Sequence, residues 1–106
     1  MKYLYKSPAK VNLFLNILRK RADGFHDIQS IFQLINLHDE LVFKTRNDGI
    51  INFQCNIKSL EKDNLIIKAI HAYQRASKIK SMGLDIFLNK HIPIGSGLGG
   101  GSSNAA

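Results

Sequence analysis

Apolar and polar residues alternate along most of the first sixty positions, and that period of two predicts strands. Tyr3, Leu4 and Tyr5 make a short segment that ends at Ser7-Pro8, where a proline without an N–H predicts a break or bend. From Lys10 to Leu18 the odd positions Val11, Leu13, Leu15 and Ile17 are all apolar, whereas the even ones include Lys10, Asn12 and Asn16. A strand with one core face and one partly polar face is expected there. Arg21-Ala22-Asp23-Gly24 marks a tight turn. Residues 28–37 fit strand or helix, and their β-branched content and flanking turns favour strand. Leu41–Thr45 follows as another strand after the polar His38-Asp39-Glu40. Asn47-Asp48-Gly49 then predicts a hairpin turn into Ile51, Phe53, Cys55 and Ile57, the cleanest alternation in the sequence.

The period changes after Asp63. Ile66, Ala69, Ile70, Tyr73 and Ala76 recur at three- and four-residue spacings, which predicts an amphipathic helix of about four turns. Asp63 or Asn64 would cap its start, and Met82-Gly83 would lie beyond its end. Leu84, Ile86 and Leu88 alternate again, directly before a glycine-rich run. A run of antiparallel strands followed by helix, strand and a second helix start predicts an α+β fold without a βαβ unit.

Composition narrows the class. The chain has 106 residues, 44% hydrophobic and 22% charged, which suits one small globular domain. No stretch approaches the roughly 18 apolar residues of a membrane span, and Met1–Lys6 lacks the pattern of a secretory or transit leader. Cys55 is the sole cysteine, so no internal disulfide can form, and a cytoplasmic setting is expected. The net charge of +7 favours anionic partners without choosing among nucleotides, phosphorylated metabolites and nucleic acid. The triplet Arg19-Lys20-Arg21 fits a solvated loop or a contact to a substrate phosphate.

The candidate chemistry lies in Pro93-Ile94-Gly95-Ser96-Gly97-Leu98-Gly99-Gly100-Gly101-Ser102-Ser103-Asn104-Ala105-Ala106, which holds five of the eight glycines. Glycine at this density tolerates positive φ and lets backbone N–H groups approach a ligand. The Ser-Ser-Asn that follows opens a helix whose first N–H groups lack intrahelical partners. Such a loop cradles phosphate. A P-loop is excluded, because no lysine follows the last glycine. Gly95-x-Gly97-x-x-Gly100 matches the dinucleotide fingerprint, but the expected strand order gives it no βαβ setting. Elsewhere, Lys10 and Asn12 share one strand face and could hold a phosphate or a hydroxyl. Phe25 and His26 could stack on and hydrogen-bond a flat heterocycle, or be a satellite apolar residue and a surface histidine. No His or Cys pair has metal-ligand spacing, so no metal site is assigned.

The glycine motif resembles the central nucleotide motif of the GHMP kinase superfamily, small-molecule kinases named for galactose, homoserine, mevalonate and phosphomevalonate. Its three glycines and Ser-Ser-Asn-Ala-Ala, together with Ser7-Pro8-Ala9-Lys10-Val11-Asn12-Leu13-Phe14-Leu15, Arg21-Ala22-Asp23-Gly24-Phe25-His26 and Asp63-Asn64-Leu65-Ile66, are similar to the branch that acts on cytidine-diphosphate methylerythritol. The resemblance runs the length of the chain. It implies ATP-dependent phosphorylation of that substrate's 2-hydroxyl, with Mg²⁺, in isoprenoid precursor synthesis. It implies ATP phosphates on Pro93 to Ser103, Asn64 and Lys90 near the adenine, Lys10 by the reacting hydroxyl, Asn12 on the substrate, and Phe25 and His26 on the cytosine. Phe25 replaces the family's usual tyrosine, which keeps stacking and loses a phenolic hydrogen bond.

Residues 1–106 would then be the N-terminal part of the ATP-binding domain, without the C-terminal domain and the catalytic aspartate that the family supplies downstream. A helix of four or five residues does not nucleate alone, so Ser102–Ala106 are expected to fray. Neither nucleic acid nor a membrane is an expected partner. Another GHMP kinase, or a basic non-catalytic module binding anions or nucleic acid, are the alternatives.

Overall fold

The structure is a computed structural model and describes residues 2–78 and 83–106. Its strands are β1 (Lys2–Lys20), β2 (His26–Arg46), β3 (Ile51–Cys55) and β4 (Gly83–Asn89), joined in one sheet in the order β1-β2-β4-β3. Helix α1 (Leu65–Ser77) lies between β3 and β4, and the short α2 (Gly100–Ala105) follows the glycine loop. The α+β class is as expected, but the sheet is mixed. β1 pairs antiparallel with β2 and β2 with β4, while β3 runs parallel to β4. Thus β3, α1 and β4 do form a βαβ crossover. The hairpin expected at Asn47-Asp48-Gly49 does not form, because β4 lies between β2 and β3 in the sheet; alternation carries no information about strand order or direction. The helix between these strands supplies the dozen or more residues that a parallel connection needs.

The core follows from register. Leu41, Leu88 and Cys55 stand in one row across the sheet, and Phe43, Ile86 and Phe53 in the next. α1 covers this face with Ile66, which is buried, and Ile70. The helix starts where Asn64 Oδ1 accepts the Ile66 N–H (2.9 Å), and it ends at Lys78, whose φ is 54°. Met82, expected past that end, lies outside the described residues.

Two expectations about β1 need correction. Pro8 does not break the strand, since pairing with β2 continues from Lys2 to Lys20. β2 is likewise continuous through His38-Asp39-Glu40. The proline is instead absorbed at an irregularity. Pairing slips by two residues between Pro8–His38 and Lys10–Leu34, with the extra residues on β2, and two single-residue slips on β1 follow after Asn12 and Ile17.

Nor do Leu13, Leu15 and Ile17 face a core, being 65%, 54% and 62% exposed. Beyond Lys10 the two strands leave the sheet as a twisted ribbon that α1 does not reach, and the slips disrupt the phase of the alternation. The ribbon also explains a radius of gyration of 16.3 Å. A compact chain of this length would have about 13 Å.

A buried polar cluster ties the sheet to the chain's last residues. Asp39 is fully buried, in phase with the core-facing Leu41 and Phe43. Its Oδ1 accepts the N–H groups of His91 (2.6 Å) and Ile92 (2.8 Å), and its Oδ2 accepts from Lys90 Nζ (2.7 Å) and Asn104 Nδ2 (2.9 Å). Asn104 Nδ2 also donates to Ser7 Oγ (2.9 Å), which donates to Ser103 Oγ (2.9 Å). These bonds hold α2 as a helix against β1 and β2. The expected fraying of Ser102–Ala106 is therefore not observed, because tertiary hydrogen bonds replace the missing nucleation.

Burial raises the Asp39 pKa, but the four donors outweigh it and leave the carboxyl below its ordinary value. A depressed folded pKa stabilises above the unfolded value of about 3.9, and the stabilisation is lost as pH falls through the folded value. Asp39→Asn leaves Lys90 uncompensated, which should cost about 3–5 kcal/mol at neutral pH. Denaturant titrations should find that gap from the parent protein narrowing below about pH 4. Gly83 has no room for a side chain, since a Cβ would lie 2.7 Å from Ile50 O and 2.8 Å from Ile50 N. Gly83→Ala should therefore lower stability by about 1–3 kcal/mol, read as an earlier denaturation midpoint.

Candidate active site

The glycine run folds as a loop between β4 and α2. Gly95, Gly97 and Gly99 take φ values of 68°, 74° and 71°, a left-handed conformation at alternate residues that a side chain would strain. Gly99 caps α2, and the Ser103 N–H returns to its carbonyl (3.0 Å). Gly100 is required for space: a Cβ there would come within 2.9 Å of both Ile92 Cγ2 and Lys90 Nζ.

The loop walls one side of an open cleft of about 360 Å³, and residues 62–65 with Leu60 wall the other. That size falls within the usual range for small-molecule sites. Of the residues expected at ATP, Asn64, Lys90 and the whole run from Pro93 to Ser102 line this cleft. Ser103 does not line it, and its hydroxyl pairs with Ser7 instead. The Asn64 amide is engaged at both ends, capping α1 with its oxygen and donating to Leu60 O (3.1 Å). Lys90 is buried and its ammonium is held by Asp39 and, at 3.0 Å, by Asn104 Oδ1. Asn56 fixes the Lys90 backbone in turn, accepting its N–H (2.8 Å) and donating to its carbonyl (3.1 Å).

Lys10 reaches the loop from β1. Its backbone N–H donates to Leu98 O (2.9 Å), its Nζ donates to Gly97 O (2.8 Å), and its aliphatic stem lies against Gly99. β1 is an edge strand, so its outer side is free to make these bonds. Asn12, two residues on, accepts from Ser30 Oγ (3.3 Å).

Phe25 and His26 are not brought to this place. They sit at the ribbon's tip, where His26 pairs with Lys20, and Phe25 is 72% exposed. The strand contour from Lys10 to Lys20 is roughly 30 Å. The Asp-Gly turn forms there as expected, with Gly24 at φ 90°. Arg19 and Arg21 of the basic triplet pair with Asp27 and Asp23, in solvent-exposed contacts of 2.8 and 3.1 Å.

Sequence reasoning passed over Asp39 and the cleft-lining Lys62, and it quoted Ser7 and Asn104 within motifs without giving either a role. A signal existed for Asp39, because a carboxylate in phase with core-facing residues must find buried partners. Among the described residues no group of three or more His, Cys, Asp or Glu side chains could hold a metal ion, and no helix is long and apolar enough to cross a membrane.

Comparisons with known proteins agree on one family. Residues 64–106 match the model described as the GHMP kinases N terminal domain. The chain is 48% identical over 103 residues to the 4-diphosphocytidyl-2-C-methyl-D-erythritol kinase of Francisella tularensis subsp. novicida, covering 96% of this chain and 38% of that one. It is 52% identical to the kinase of the same name from Prochlorococcus marinus, covering 95% of this chain and 33% of the relative. It thus spans little more than a third of the length of the curated relatives it matches. A crystal structure of 4-(cytidine 5'-diphospho)-2C-methyl-D-erythritol kinase superposes with a TM-score of 0.82 at 38% identity, over 97% of this chain and 37% of the other. A mevalonate kinase structure at 18% identity shares the fold with a TM-score of 0.71. Residues 64–106 are thus similar to the N-terminal domain of the GHMP kinases, and the chain has the fold of that domain.

Proposed function

We propose that this chain is the N-terminal part of an ATP-dependent kinase that phosphorylates the 2-hydroxyl of 4-diphosphocytidyl-2-C-methyl-D-erythritol in isoprenoid precursor synthesis. The relatives at 48% and 52% identity carry the name of that kinase, which supports the choice of substrate. The observation that carries the mechanism is the contact of Lys10 with the glycine loop at Gly97 and Leu98. It puts a cation from the proposed substrate strand beside the loop proposed to hold the ATP phosphates.

In this reading the loop N–H groups and the Ser96 and Ser102 hydroxyls hold phosphate oxygens in the cleft. Lys10 exchanges the Gly97 carbonyl for the transferring phosphoryl group and offsets its charge. The substrate oxygen forms a bond to the γ-phosphorus as the bond to the β,γ-bridging oxygen breaks, and ADP leaves. The hydroxyl proton passes to the downstream aspartate that the family resemblance implies. Mg²⁺, when bound, would offset the negative charge of the ATP phosphates, and the Ser96 and Ser102 hydroxyls of the cleft would help to hold it. The Asp63 carboxylate and the two serine hydroxyls lining this cleft are hard oxygen donors of the kind that suit such a cation.

Lys90 serves under the loop rather than through its ammonium at the adenine, and Asn64 presents the start of α1 to the cleft. Asn12 orients the polyol. Phe25 and His26 read the cytosine of an elongated substrate lying along the ribbon. The single free and buried Cys55 suits a reducing cytoplasm.

Release of ADP by the full-length protein should depend on the cytidine-linked polyol and not on mevalonate or homoserine. Lys10→Ala should lower kcat at least 100-fold, in keeping with the usual weight of such groups, with a smaller change in either KM. His26→Ala should raise KM for the cytidine substrate while leaving KM for ATP in place. Unchanged turnover in the Lys10 variant, or ADP release driven by a different alcohol, would sink the reading.

A further inference from the structure

The buried charges of this chain are concentrated beneath the glycine loop, and the mechanism above leaves the carboxylate among them unused. Asp39 and Lys90 form the described ion pair with both side chains almost completely buried, at 0% and 5% exposure. The carboxylate sits on β2, yet every one of its four donors belongs to residues 90–104. Oδ1 takes two consecutive N–H groups at the loop's entrance, and Oδ2 takes the side chains of Lys90 before the loop and Asn104 after it. One carboxyl group therefore clamps both ends of a segment whose middle, from Pro93 to Gly99, lines the cleft. Within that middle three glycines hold left-handed angles, a conformation costly in chain entropy unless the ends are fixed.

We propose that Asp39 is a positioning residue for the nucleotide: by fastening both ends of the loop to β2, it presets the loop N–H groups for phosphate and so governs nucleotide affinity. The inference rests on the reading of this loop as the ATP phosphate site. Lys90 is the counter-charge that lets the carboxylate stay ionised in the interior, and Asn104 extends the clamp to α2. Ser7 carries it on to β1, close to Lys10, through its bonds with Asn104 and Ser103.

The geometry allows a charge-exchange test. In Asp39→Asn the oxygen of the new amide can still accept both loop N–H groups, but its NH₂ faces the ammonium of Lys90 and the amide of Asn104. In the double variant Asp39→Asn/Asn104→Asp that NH₂ meets a carboxylate, and Lys90 keeps an anion at the position it already touches at 3.0 Å. Ser7 Oγ then turns to donate where it now accepts. The buried charge is conserved and the hydrogen bonds can be remade.

The experiment measures KM for ATP, KM for the acceptor alcohol and calorimetric ATP affinity in the full-length protein and three variants. KM is insensitive to the fraction of enzyme that is folded, so a merely structural role would lower apparent kcat and thermal stability and leave KM alone. Asp39→Asn should raise KM and Kd for ATP at least tenfold, with the acceptor KM within twofold. The double variant should recover most of that loss. Asn104→Ser, which keeps the Asp39–Lys90 pair and frees only α2, should give a smaller rise and decides the matter if Asp39→Asn does not fold. ATP affinity within twofold of the parent in Asn104→Ser and in any folded Asp39→Asn would overturn the proposal. Intact ATP binding in the parent protein without turnover of the cytidine-linked polyol would sink the substrate reading alone.

Discussion

The architecture depends on one buried ion pair. Taking a carboxylate and an ammonium out of water is expensive, and their mutual attraction offsets the cost only when the remaining hydrogen-bonding capacity is filled. Here Asp39 is filled by two backbone N–H groups and an amide besides Lys90, and no described buried side-chain nitrogen or oxygen lacks a partner. An apolar pair of similar volume can pack as well, but it could not grip main-chain N–H groups of a loop that has almost no side chains to grip. The glycines that make the loop receptive to a ligand also deprive it of packing. The polar cluster supplies the order that packing cannot.

The same logic links the two halves of the proposed site. An edge strand has unpaired main-chain groups along one side, an arrangement that proteins usually cover or blunt. In this fold the loop covers part of the β1 edge at Lys10, so a potential liability becomes the means by which a strand residue meets a phosphate loop. Asn56 plays a comparable part beyond the end of β3 by pairing with both main-chain groups of Lys90. Lys10 and Asp39 position the loop from within long strands, and Asn56 and Lys90 from just beyond the ends of short ones.

What the sequence made legible follows from which physical signal each element sends. α1, β3 and β4 show uninterrupted periods, and all three were identifiable. The glycine spacing made the loop visible, and the Asn64 cap was among two candidates. Strand direction was hidden, because Ile51, Phe53 and Cys55 alternate identically whether their neighbour runs parallel or antiparallel. The exposure of Leu13, Leu15 and Ile17 was hidden too, since apolar alternation reports a capacity for burial and not the presence of a cover. Asp39 was passed over as a polar spacer although its phase with Leu41 and Phe43 marked it as inward-facing. The role of Lys90 needed three dimensions, because its partners are distant in sequence and a lone lysine beside a loop looks like a surface cation.

The register slips along the ribbon have a further consequence. Two residues are added on β2 beside Pro8, and one is added on β1 at each of two later points, so the offsets cancel before the turn at Asp23-Gly24. The paired strands thus satisfy a closure condition: they slip out of register in the region of Lys10 and Asn12, yet arrive at the hairpin in the alignment with which they left the sheet. A single insertion or deletion on either strand, between Lys10 and Lys20 or between His26 and Leu37, would leave that sum unbalanced. The mismatch would pass to the turn, and the tip carrying Phe25 and His26 would be rotated even though neither residue had been changed.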